Sequence, residues 1–534
     1  MKKLLALALS LVMATSLMAG CAKNDGGADV AKMTKEEIKL FEEKAGGLKL
    51  PFDKKGTKIS IMVDSSNVGL TDSVIVKELS RRTGASIEIV AIPTASLKEK
   101  SKILMAGGID EMPDIFKGGF TMQEINDYGV QGAFAAVDDH LDEMPNFKYI
   151  FIDNAKEMGT ETVNKAWRAS DGKLYQIPSY GVNRDVNHGM LYRKDIFDKH
   201  GIKMWNNPEE FYQVLKQLKE LYPSSAPLVT KSGITILNQL GASWGVQQWP
   251  GMSYDEKTGI WNYSSMRPEF KEFLDYMKKL YDEKLLDEEF ITSTQPSWTA
   301  KMTQADKAFV TYDWIGRLDQ LKEQTAQTVP EYDLRYGNPV GPTQKVITIS
   351  PVGGAIMVTN NENKKLSFKI LDYLLSEGGA ELTTCGIEGV TFNWNEDKTK
   401  AEYLGFEEGK AIGITDLEAK YGLFVSVLAR RYDKRCVYFN YTEKEQEAQD
   451  IMNAKTDGFL PQQPLLTYTE EEAKIVEKYD LNLRKIGEEF AAKYILSKKG
   501  SEPSWDKFLA DMKAAGADEV LKAQNAAQKR YDAM

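Results

Sequence analysis

Lys58-Ile59-Ser60-Ile61-Met62-Val63 begins a regular succession of strands and helices in this chain of 534 residues, and this succession indicates the fold class. The run is largely apolar and contains β-branched residues, and it predicts a buried strand. The pattern that follows predicts, in order, a helix over 71–82, a strand over 86–92, a helix over 96–106 and a strand over 113–116. Strands that alternate with helices indicate an α/β fold with a parallel sheet.

Several helices carry start signals that can be named from the sequence. Each signal is a polar cap, a proline in the first turn or a Ser/Thr-x-x-Glu capping box. They are Ser96 with Glu99, Asn207 with Pro208, Pro268, and Thr469 with Glu472. The stretches 346–349 and 355–359 predict strands on either side of a Pro-Val-Gly-Gly turn.

The composition is that of a globular protein, with 42% hydrophobic residues and a formal net charge of −10. Its length is enough for two or three domains with large cores. Removal of residues 1–20 would take away Lys2 and Lys3 and no acidic residue, which leaves a charge of −12. An acidic chain has no broad attraction to nucleic acid or anionic lipid, so neither is an expected partner.

Cysteine and histidine, the usual ligands of zinc, are few and scattered. Besides Cys21 the chain has Cys385 and Cys436, which either form one disulfide or stay as two buried thiols. The histidines have no metal-binding spacing, and they are His140, His188 and His200. No HExxH, Walker or GxGxxG pattern is present. The sequence therefore predicts no metal site and no cofactor.

Leu17-Met18-Ala19-Gly20-Cys21 ends an apolar run that starts after Lys2 and Lys3, the pattern of a secretory signal peptide. The five residues resemble the lipobox of bacterial lipoproteins, in which the cysteine becomes the lipidated N-terminus. This resemblance implies a signal peptide at 1–20, acylation (palmitate) of Cys21 and a tether at 21–56. The protein would then lie on the extracytoplasmic face of the cell membrane, held by the lipid anchor only.

The N-terminal run has two alternative assignments. One is an ordinary secretory signal with an incidental cysteine. The second is a single membrane helix, which is disfavoured because the run is shorter than a span and Lys23 and Asp25 follow at once. An exported, tethered protein has no access to cytosolic ATP or NAD, which excludes many classes of enzyme.

Several segments, in the same order, resemble the extracellular solute-binding proteins of family 1, and among them the long sugar-binding lipoproteins of ABC importers. One of them is Asp171-Gly172-Lys173-Leu174-Tyr175-Gln176-Ile177-Pro178. The others are 104–108 with 112–115, 192–195 with 200–202, 280–286, 386–390 and 464–467. Each is weakly specific alone, and their common order carries the resemblance.

The resemblance implies a two-lobed fold like that of type II periplasmic binding proteins, with a hinge and a central ligand cleft. The N-terminal α/β lobe would comprise 57–180 plus 351–395, and the helix-rich C-terminal lobe 181–350 plus 396–534. It further implies a monomer that captures a carbohydrate, in particular an oligosaccharide, and delivers it to ABC permease subunits. A peptide or polyol ligand is the alternative.

Aromatic platforms are expected in the ligand site, because sugars present apolar ring faces. Val310-Thr311-Tyr312-Asp313-Trp314 resembles the strand and turn that carries a sugar-stacking tryptophan in the family. We therefore expect Tyr312, Asp313 and Trp314 at the site. Further candidates are Trp244 and Trp249 in a glycine-rich loop, and Trp394, with core packing as the alternative for each.

Polar ligand contacts are expected where strands of an open α/β sheet end. In the first lobe this rule selects Asp64, Ser66, Asn67 and Lys117. The first connection between lobes, 183–188, is unusually polar, which indicates ligand contacts from Arg184, Asn187 and His188. A solvated linker accounts for this polarity equally well. Arg184 and Lys117 would suit a carboxylate, which makes an acidic sugar a hypothesis.

An enzyme is the main competing class. Gly241-Ala242-Ser243-Trp244-Gly245 matches the GxSxG nucleophile elbow, but that motif needs a later histidine and none follows His200. A glycosidase would need a pair of carboxylates, which the sequence does not exclude. No segment resembles a hydrolase family, so the expectation is a binding protein without catalytic residues.

Overall fold

The computed structural model describes residues 32–407, 412–424 and 428–533. The predicted signal peptide and the lipidation site at Cys21 lie outside the described residues. Contacts divide the chain into two compact units. Unit 1 is Met1–Asn183 with Pro351–Asn440, and unit 2 is Arg184–Ser350 with Tyr441–Met534.

The last division differs from the prediction, which placed 396–440 in the second lobe. These residues belong to unit 1 because their backbone pairs with earlier parts of that unit. The strand Phe392–Trp394 pairs antiparallel with Ala401–Tyr403. Further on, the N–H of Tyr180 donates to the carbonyl of Arg430 at 2.6 Å, and the N–H of Tyr432 donates to the carbonyl of Tyr180 at 3.1 Å. The chain therefore leaves unit 1 after Asn440 instead of after Trp394.

The strands are short and fall into several sheets. In chain order they are β1 (Lys58–Asp64), β2 (Ser86–Ile92), β3 (Ile115–Phe116), β4 (Ile177–Tyr180), β5 (His188–Arg193), β6 (Leu228–Val229), β7 (Met252–Asp255), β8 (Ile260–Tyr263), β9 (Val310–Trp314), β10 (Leu334–Tyr336), β11 (Val346–Ile347), β12 (Val352–Val358), β13 (Phe392–Trp394), β14 (Ala401–Tyr403) and β15 (Phe459–Leu460).

Unit 1 is built on a sheet of order β2-β1-β3-β12-β4. β1 pairs parallel with β2 and with β3, as the alternation of strands and helices predicts. β12 returns antiparallel to β3 and β4. The ends of β1 and β3, at Asp64 and Phe116, therefore lie at the same edge of the sheet.

The α-helices of unit 1 cover Lys35–Glu43, Val74–Thr83, Thr94–Gly107, Met122–Val130, Pro145–Lys148, Ala155–Met158, Glu161–Ala166, Lys364–Leu375, Glu377–Ala380 and Ile414–Tyr421. The predicted capping box at Ser96 is wrong. The helix starts two residues earlier, at Thr94, with Pro93 as its cap, so the Ser96 hydroxyl instead donates to the Pro93 carbonyl at 3.2 Å.

Unit 2 is built on a sheet of order β10-β5-β9-β6. β5 lies antiparallel to both of its neighbours, whereas β6 and β9 are parallel. Since parallel strands end at the same edge, the residues after Val229 lie beside Asp313 and Trp314. This edge carries the candidate site of unit 2.

The α-helices of unit 2 cover Lys194–His200, Pro208–Leu221, Ile236–Gly241, Pro268–Asp282, Gln295–Met302, Arg317–Thr325, Glu443–Asn453, Glu470–Leu496, Trp505–Ala514 and Ala517–Asp532. Three predicted helix starts are confirmed. The Asn207 side chain accepts from the N–H of Glu210, Pro268 is the first helical residue, and Thr469 forms its capping box with Glu472.

Cys385 and Cys436 are both free thiols in the interior of unit 1. Burial raises the pKa of the Cys436 thiol to about 12, so it stays protonated at neutral pH. Across the described ranges, no group of three or more His, Cys, Asp or Glu side chains has an arrangement that could hold a metal ion. Among the helices of the described residues, none is both long and apolar enough to cross a membrane.

Candidate functional site

A cavity of about 600 Å³ opens in unit 1 at the edge where β1 and β3 end. The loop 64–67 and Lys117 form one side of it, and the helix Ile414–Tyr421 forms another. The structure thus brings together the four polar residues that the strand-end rule selects in this unit: Asp64, Ser66, Asn67 and Lys117.

Hydrogen bonds hold the loop 64–67 in place. Asp64 accepts from the Thr94 hydroxyl at 2.6 Å, and the Ser65 hydroxyl donates to Glu418 Oε1 at 2.9 Å. Ser65 Oγ also accepts from the N–H of Asn67 at 3.1 Å. The side chain of Ser66 is exposed to solvent. The loop is therefore a prearranged polar surface.

Lys117 is partly buried in this cavity. Burial lowers the pKa of its ammonium group to about 8, against the opposing effect of the carboxylates of Asp64 and Glu418, while Arg430 lowers the pKa further. Lys117 is therefore mostly protonated at pH 7. With two carboxylates beside it, the cavity combines hydrogen-bond donors and acceptors, as the hydroxyl groups of a sugar require.

Trp314 ends β9 in unit 2 and is 39% exposed. All nine tryptophans lie within the described residues, and Trp314 is the exposed one among them. Its ring lies over Gly316, where a Cβ atom would come within 2.3 Å of the indole. The glycine thus lets the ring lie flat against the chain and present its other face to solvent.

Next to Trp314 in sequence, Asp313 is held by two cations. Its Oδ1 lies 2.8 Å from Lys231 Nζ, and its Oδ2 lies 3.3 Å from Arg317 Nε. The amide oxygen of Gln295 accepts from both cations, at 3.0 Å from Lys231 and 3.1 Å from Arg317. Lys231 and Arg317 also lie over the buried ring of Trp298.

His188 lies opposite Trp314 on β5. Its Nδ1 lies 2.9 Å from Asn187 Nδ2, and the carbonyl of Asn187 accepts from the N–H of Ile315. Burial lowers the pKa of the imidazole, Asp313 opposes this, and Lys231 and Arg317 add to it. The ring is therefore neutral at pH 7, and Asn187, His188 and Trp314 lie together at this end of the sheet, next to the buried carboxylate of Asp313.

Two of the other predicted residues, Trp244 and Trp249, lie away from these two surfaces. Trp244 packs between Phe273 and Tyr276, at ring distances of 4.8 and 5.2 Å. Trp249 stacks on Phe270 at 5.7 Å. Both tryptophans are in the core of unit 2, so their rings have no face for a ligand. The glycine-rich loop is apolar enough to pack against the helix Pro268–Asp282.

Three further predicted residues have partners of their own within their units. Tyr312 is buried below the strand end. The guanidinium of Arg184 lies 5.2 Å from the ring of Tyr441, and that of Arg435 covers the Trp394 ring at 3.9 Å. Tyr312 and Trp394 are therefore outside the candidate surfaces, whereas Arg184 is joined to one of them because its Nη1 donates to Asn187 Oδ1 at 3.3 Å.

Ser243 does not have the geometry of a nucleophile elbow. It lies in a 3₁₀ turn after the helix Ile236–Gly241, whereas the elbow requires a strand before the serine. Its hydroxyl is buried, donates to the Leu240 carbonyl at 3.2 Å and accepts from the N–H of Gly341 at 2.9 Å. The match to GxSxG is a coincidence of sequence.

Three charged residues at these surfaces, Lys231, Arg317 and Glu418, were not predicted from the sequence. Lys231 follows β6, so the strand-end rule that selects Asp64 could have found it. Arg317 comes three residues after Trp314 at the start of a helix, a position without a specific signal. Glu418 is 353 residues away from Ser65, its partner, so no local pattern predicts the contact.

Comparisons with known proteins agree with this architecture. Residues 64–381 match the family model of the bacterial extracellular solute-binding protein. The chain is 24% identical over 341 residues to the polygalacturonan/rhamnogalacturonan-binding protein YtcQ of Bacillus subtilis. The aligned residues are 61% of this chain and 64% of that protein. It thus spans less than two thirds of the length of that relative. Lipoprotein LipO of the same organism is 25% identical over 404 residues, which is 71% of this chain and 72% of LipO.

Solved structures show the same fold. The alginate-binding protein AlgQ2 superposes with a TM-score of 0.67 at 20% identity, over 90% of this chain and 99% of that one. An HMO-binding, ABC-transporter-associated solute-binding protein from Bifidobacterium longum infantis superposes with a TM-score of 0.66 at 16% identity. The match covers 90% of this chain and 99% of that one. The fold is therefore the two-domain α/β fold of solute-binding proteins. YtcQ, AlgQ2 and the Bifidobacterium protein are named as binding proteins.

Proposed function

The chain belongs to the bacterial extracellular solute-binding protein family, and from this premise we propose that it captures a carbohydrate, in particular an oligosaccharide, for an ABC importer. Trp314 would provide the ring platform in unit 2, beside Asn187, His188 and Asp313. In unit 1, Asp64, Ser66, Asn67 and Lys117 would provide hydrogen bonds. YtcQ and AlgQ2, which are named for binding acidic polysaccharides, support a carbohydrate as the ligand.

The exposed ring of Trp314 is the observation that carries this proposal. The indole stays partly exposed to water in the folded chain. Burial of its exposed face against an apolar ligand surface would therefore contribute favourably to the free energy of binding. Charged and amide side chains lie at the same strand ends, as a ligand with an apolar ring face and a polar edge requires.

A thermal-shift screen tests the proposed ligand class. The purified protein is heated with oligosaccharides, polyols and short peptides, each at several concentrations. A carbohydrate at about 100 times its dissociation constant should stabilise the folded state by about 2.7 kcal/mol. A screen in which only peptides or only polyols raise the melting temperature would contradict the carbohydrate assignment.

We further infer that the protein has no catalytic activity. The family match, the buried Ser243 and the absence of a histidine after His200 support this inference. Incubation of the protein with the oligosaccharide that stabilises it, followed by chromatography, should return the oligosaccharide intact. Shorter products that persist after the protein is repurified would show that it is an enzyme.

Attachment to the membrane through Cys21 is part of the same proposal. Lipoprotein LipO, a relative by sequence, supports it, and the acyl chains would keep the captured ligand near the permease subunits. A monomer is sufficient for this role.

Replacement of Cys21 by serine should release the protein into the medium, because the thiol that carries the lipid is lost. Ligand affinity should stay unchanged, since the residues of both candidate surfaces are intact. Fractionation of cells and titration of the released protein measure the two effects. A variant that stays in the membrane fraction would contradict the lipid anchor, and one with altered affinity would contradict the separation of anchor and site.

A further inference from the structure

Positive charge exceeds negative charge in the ion cluster at Asp313, the residue before Trp314 at the end of β9. Asp313 contributes one carboxylate, whereas Lys231 and Arg317 contribute two cations. The Asp313 side chain is 2% exposed, but the side chains of Lys231 and Arg317 are 21% and 16% exposed. The acid is thus closed off from solvent, and the accessible part of this cluster is cationic.

Both cations keep donors that the described residues do not use. Arg317 donates to Asp313, Gln295 and Gln320, and a guanidinium has five N–H groups. Lys231 contacts Asp313 and Gln295, and an ammonium has three. Two of the three acceptors of Arg317 are neutral amides, so the cluster keeps its surplus charge.

The cations are also held in position. Arg317 lies 5.5 Å and Lys231 lies 5.2 Å from the ring of Trp298, which is fully buried. The Trp298 indole in turn donates to the Thr311 hydroxyl on β9 at 2.9 Å. Cations that are already ordered lose little side-chain entropy when a ligand binds.

His188, across from Trp314, adds no compensating negative charge. The charged groups that act on its imidazole are Asp313, Lys231 and Arg317, the same three residues. The cavity of unit 1 differs, because there Lys117 has the carboxylates of both Asp64 and Glu418 beside it. In the unit 1 cavity the two cations Lys117 and Arg430 are thus balanced by two carboxylates, whereas the Asp313 cluster has one carboxylate for two cations.

We propose that this surface selects carbohydrates that carry a carboxylate, with Arg317 and Lys231 as the residues that recognise it. The inference rests on the proposed function and narrows its ligand class to acidic sugars such as uronates. A carboxylate on the sugar can accept two charge-assisted hydrogen bonds from the fork of a guanidinium. The ring of the same sugar would lie against Trp314, which is separated from Arg317 by only Ile315 and Gly316.

Calorimetric titration of the purified protein tests this proposal with matched ligands. The probes are a trisaccharide of galacturonate, a trisaccharide of guluronate and the methyl esters of both, which remove the charge and keep the ring. The native protein should bind one of the free acids about 10- to 100-fold more tightly than its ester. Higher salt should reduce that preference, because it screens partly exposed charges.

The variant Arg317→Gln should lose most of the preference for the free acid and keep its affinity for the ester. Lys231 still pairs with Asp313 in this variant, so its melting temperature should stay close to that of the native protein. Arg335→Gln is the control, because Arg335, on β10, also pairs with an aspartate in unit 2, but its partners are Asp333 and Glu447. It should bind both ligand forms like the native protein.

Other results would overturn the inference and separate it from the proposed function. If neutral oligosaccharides bind and neither acid binds more tightly than its ester, the acidic selection is wrong and carbohydrate binding stands. The same conclusion holds if Arg317→Gln keeps the full preference. If no carbohydrate of the thermal-shift screen binds at all, the proposed function itself is wrong.

Discussion

Replacing Trp314 with alanine should weaken carbohydrate binding by about 30-fold, or roughly 2 kcal/mol, as expected when an aromatic anchor is removed from the centre of an interface. The indole is 39% exposed and lies over Gly316, so its accessible face is available to a sugar ring. The folded state should lose little stability, because the ring contributes less buried surface than a core tryptophan. Calorimetric titration and thermal unfolding measure the two quantities separately.

Two variants serve as controls for Trp314→Ala. Trp314→Phe keeps an aromatic face of smaller area and should retain affinity between that of the native protein and the alanine variant. Leu481→Ala removes another exposed apolar side chain of unit 2, on the helix Glu470–Leu496, and should leave binding unchanged. If Trp314→Ala binds within about twofold of the native protein, Trp314 is not a ligand platform.

Replacing Glu78 with alanine should destabilise unit 1 by about 3–5 kcal/mol, because it leaves buried charges without their partner. Glu78 is 2% exposed and accepts from Arg81 at 2.7 Å and from Arg82 at 2.8 Å. In the variant Arg81 keeps Glu37 at 3.1 Å, but Arg82 keeps only the neutral hydroxyl of Tyr373 among its hydrogen-bond acceptors in the described structure. Urea denaturation measures the loss of unfolding free energy, and hydrogen exchange of the backbone amides shows whether the loss is in unit 1.

The matched control is Glu88→Ala, which removes an exposed carboxylate of the same unit that lies 2.6 Å from Lys58. It should cost at most about 1 kcal/mol, since surface ion pairs contribute little. If Glu78→Ala is no more destabilising than this control, the buried ion pairs of Glu78 with Arg81 and Arg82 do not stabilise unit 1.

The effect of Glu78 should depend on pH in a defined direction. Burial by itself raises the pKa of this carboxyl, but Arg82 and Arg81 outweigh it and hold the pKa below the ordinary value of 4.5. A carboxyl with a lowered pKa in the folded state stabilises that state above its unfolded pKa and loses this contribution as pH falls through its folded pKa. The difference in unfolding free energy between the native protein and Glu78→Ala should therefore be largest near neutral pH and shrink on acidification below about pH 4.5.

Much of the fold could be predicted because its signals are local. The apolar run at 58–63 forms β1, 86–92 forms β2, and the caps at Asn207 and Thr469 begin helices as the residues indicate. Each of these features depends on the periodicity of side chains or on hydrogen bonds between residues three apart. The family segments add to these local signals, since their common order identifies the two-domain fold.

The candidate site was only partly predictable. The rule that strand ends carry ligand contacts depends on sheet geometry, and it selects Asp64 and Lys117 because β1 and β3 are parallel. The burial of Trp244 and Trp249 depends instead on how their loop packs on the helix Pro268–Asp282. An aromatic residue in a loop does not by itself indicate whether its ring is buried or exposed.

The alternation of β1 to β3, the caps at Asn207 and Thr469 and the position of Trp314 at the end of β9 follow from patterns within a few turns of the chain, and the family follows from the order of several segments. No such pattern shows which tryptophan is exposed, that 396–440 returns to unit 1, or that Lys231 and Arg317 share Asp313. The physical reason is that burial and ion pairing depend on distances in space, and these join residues as far apart in sequence as Lys231 and Asp313.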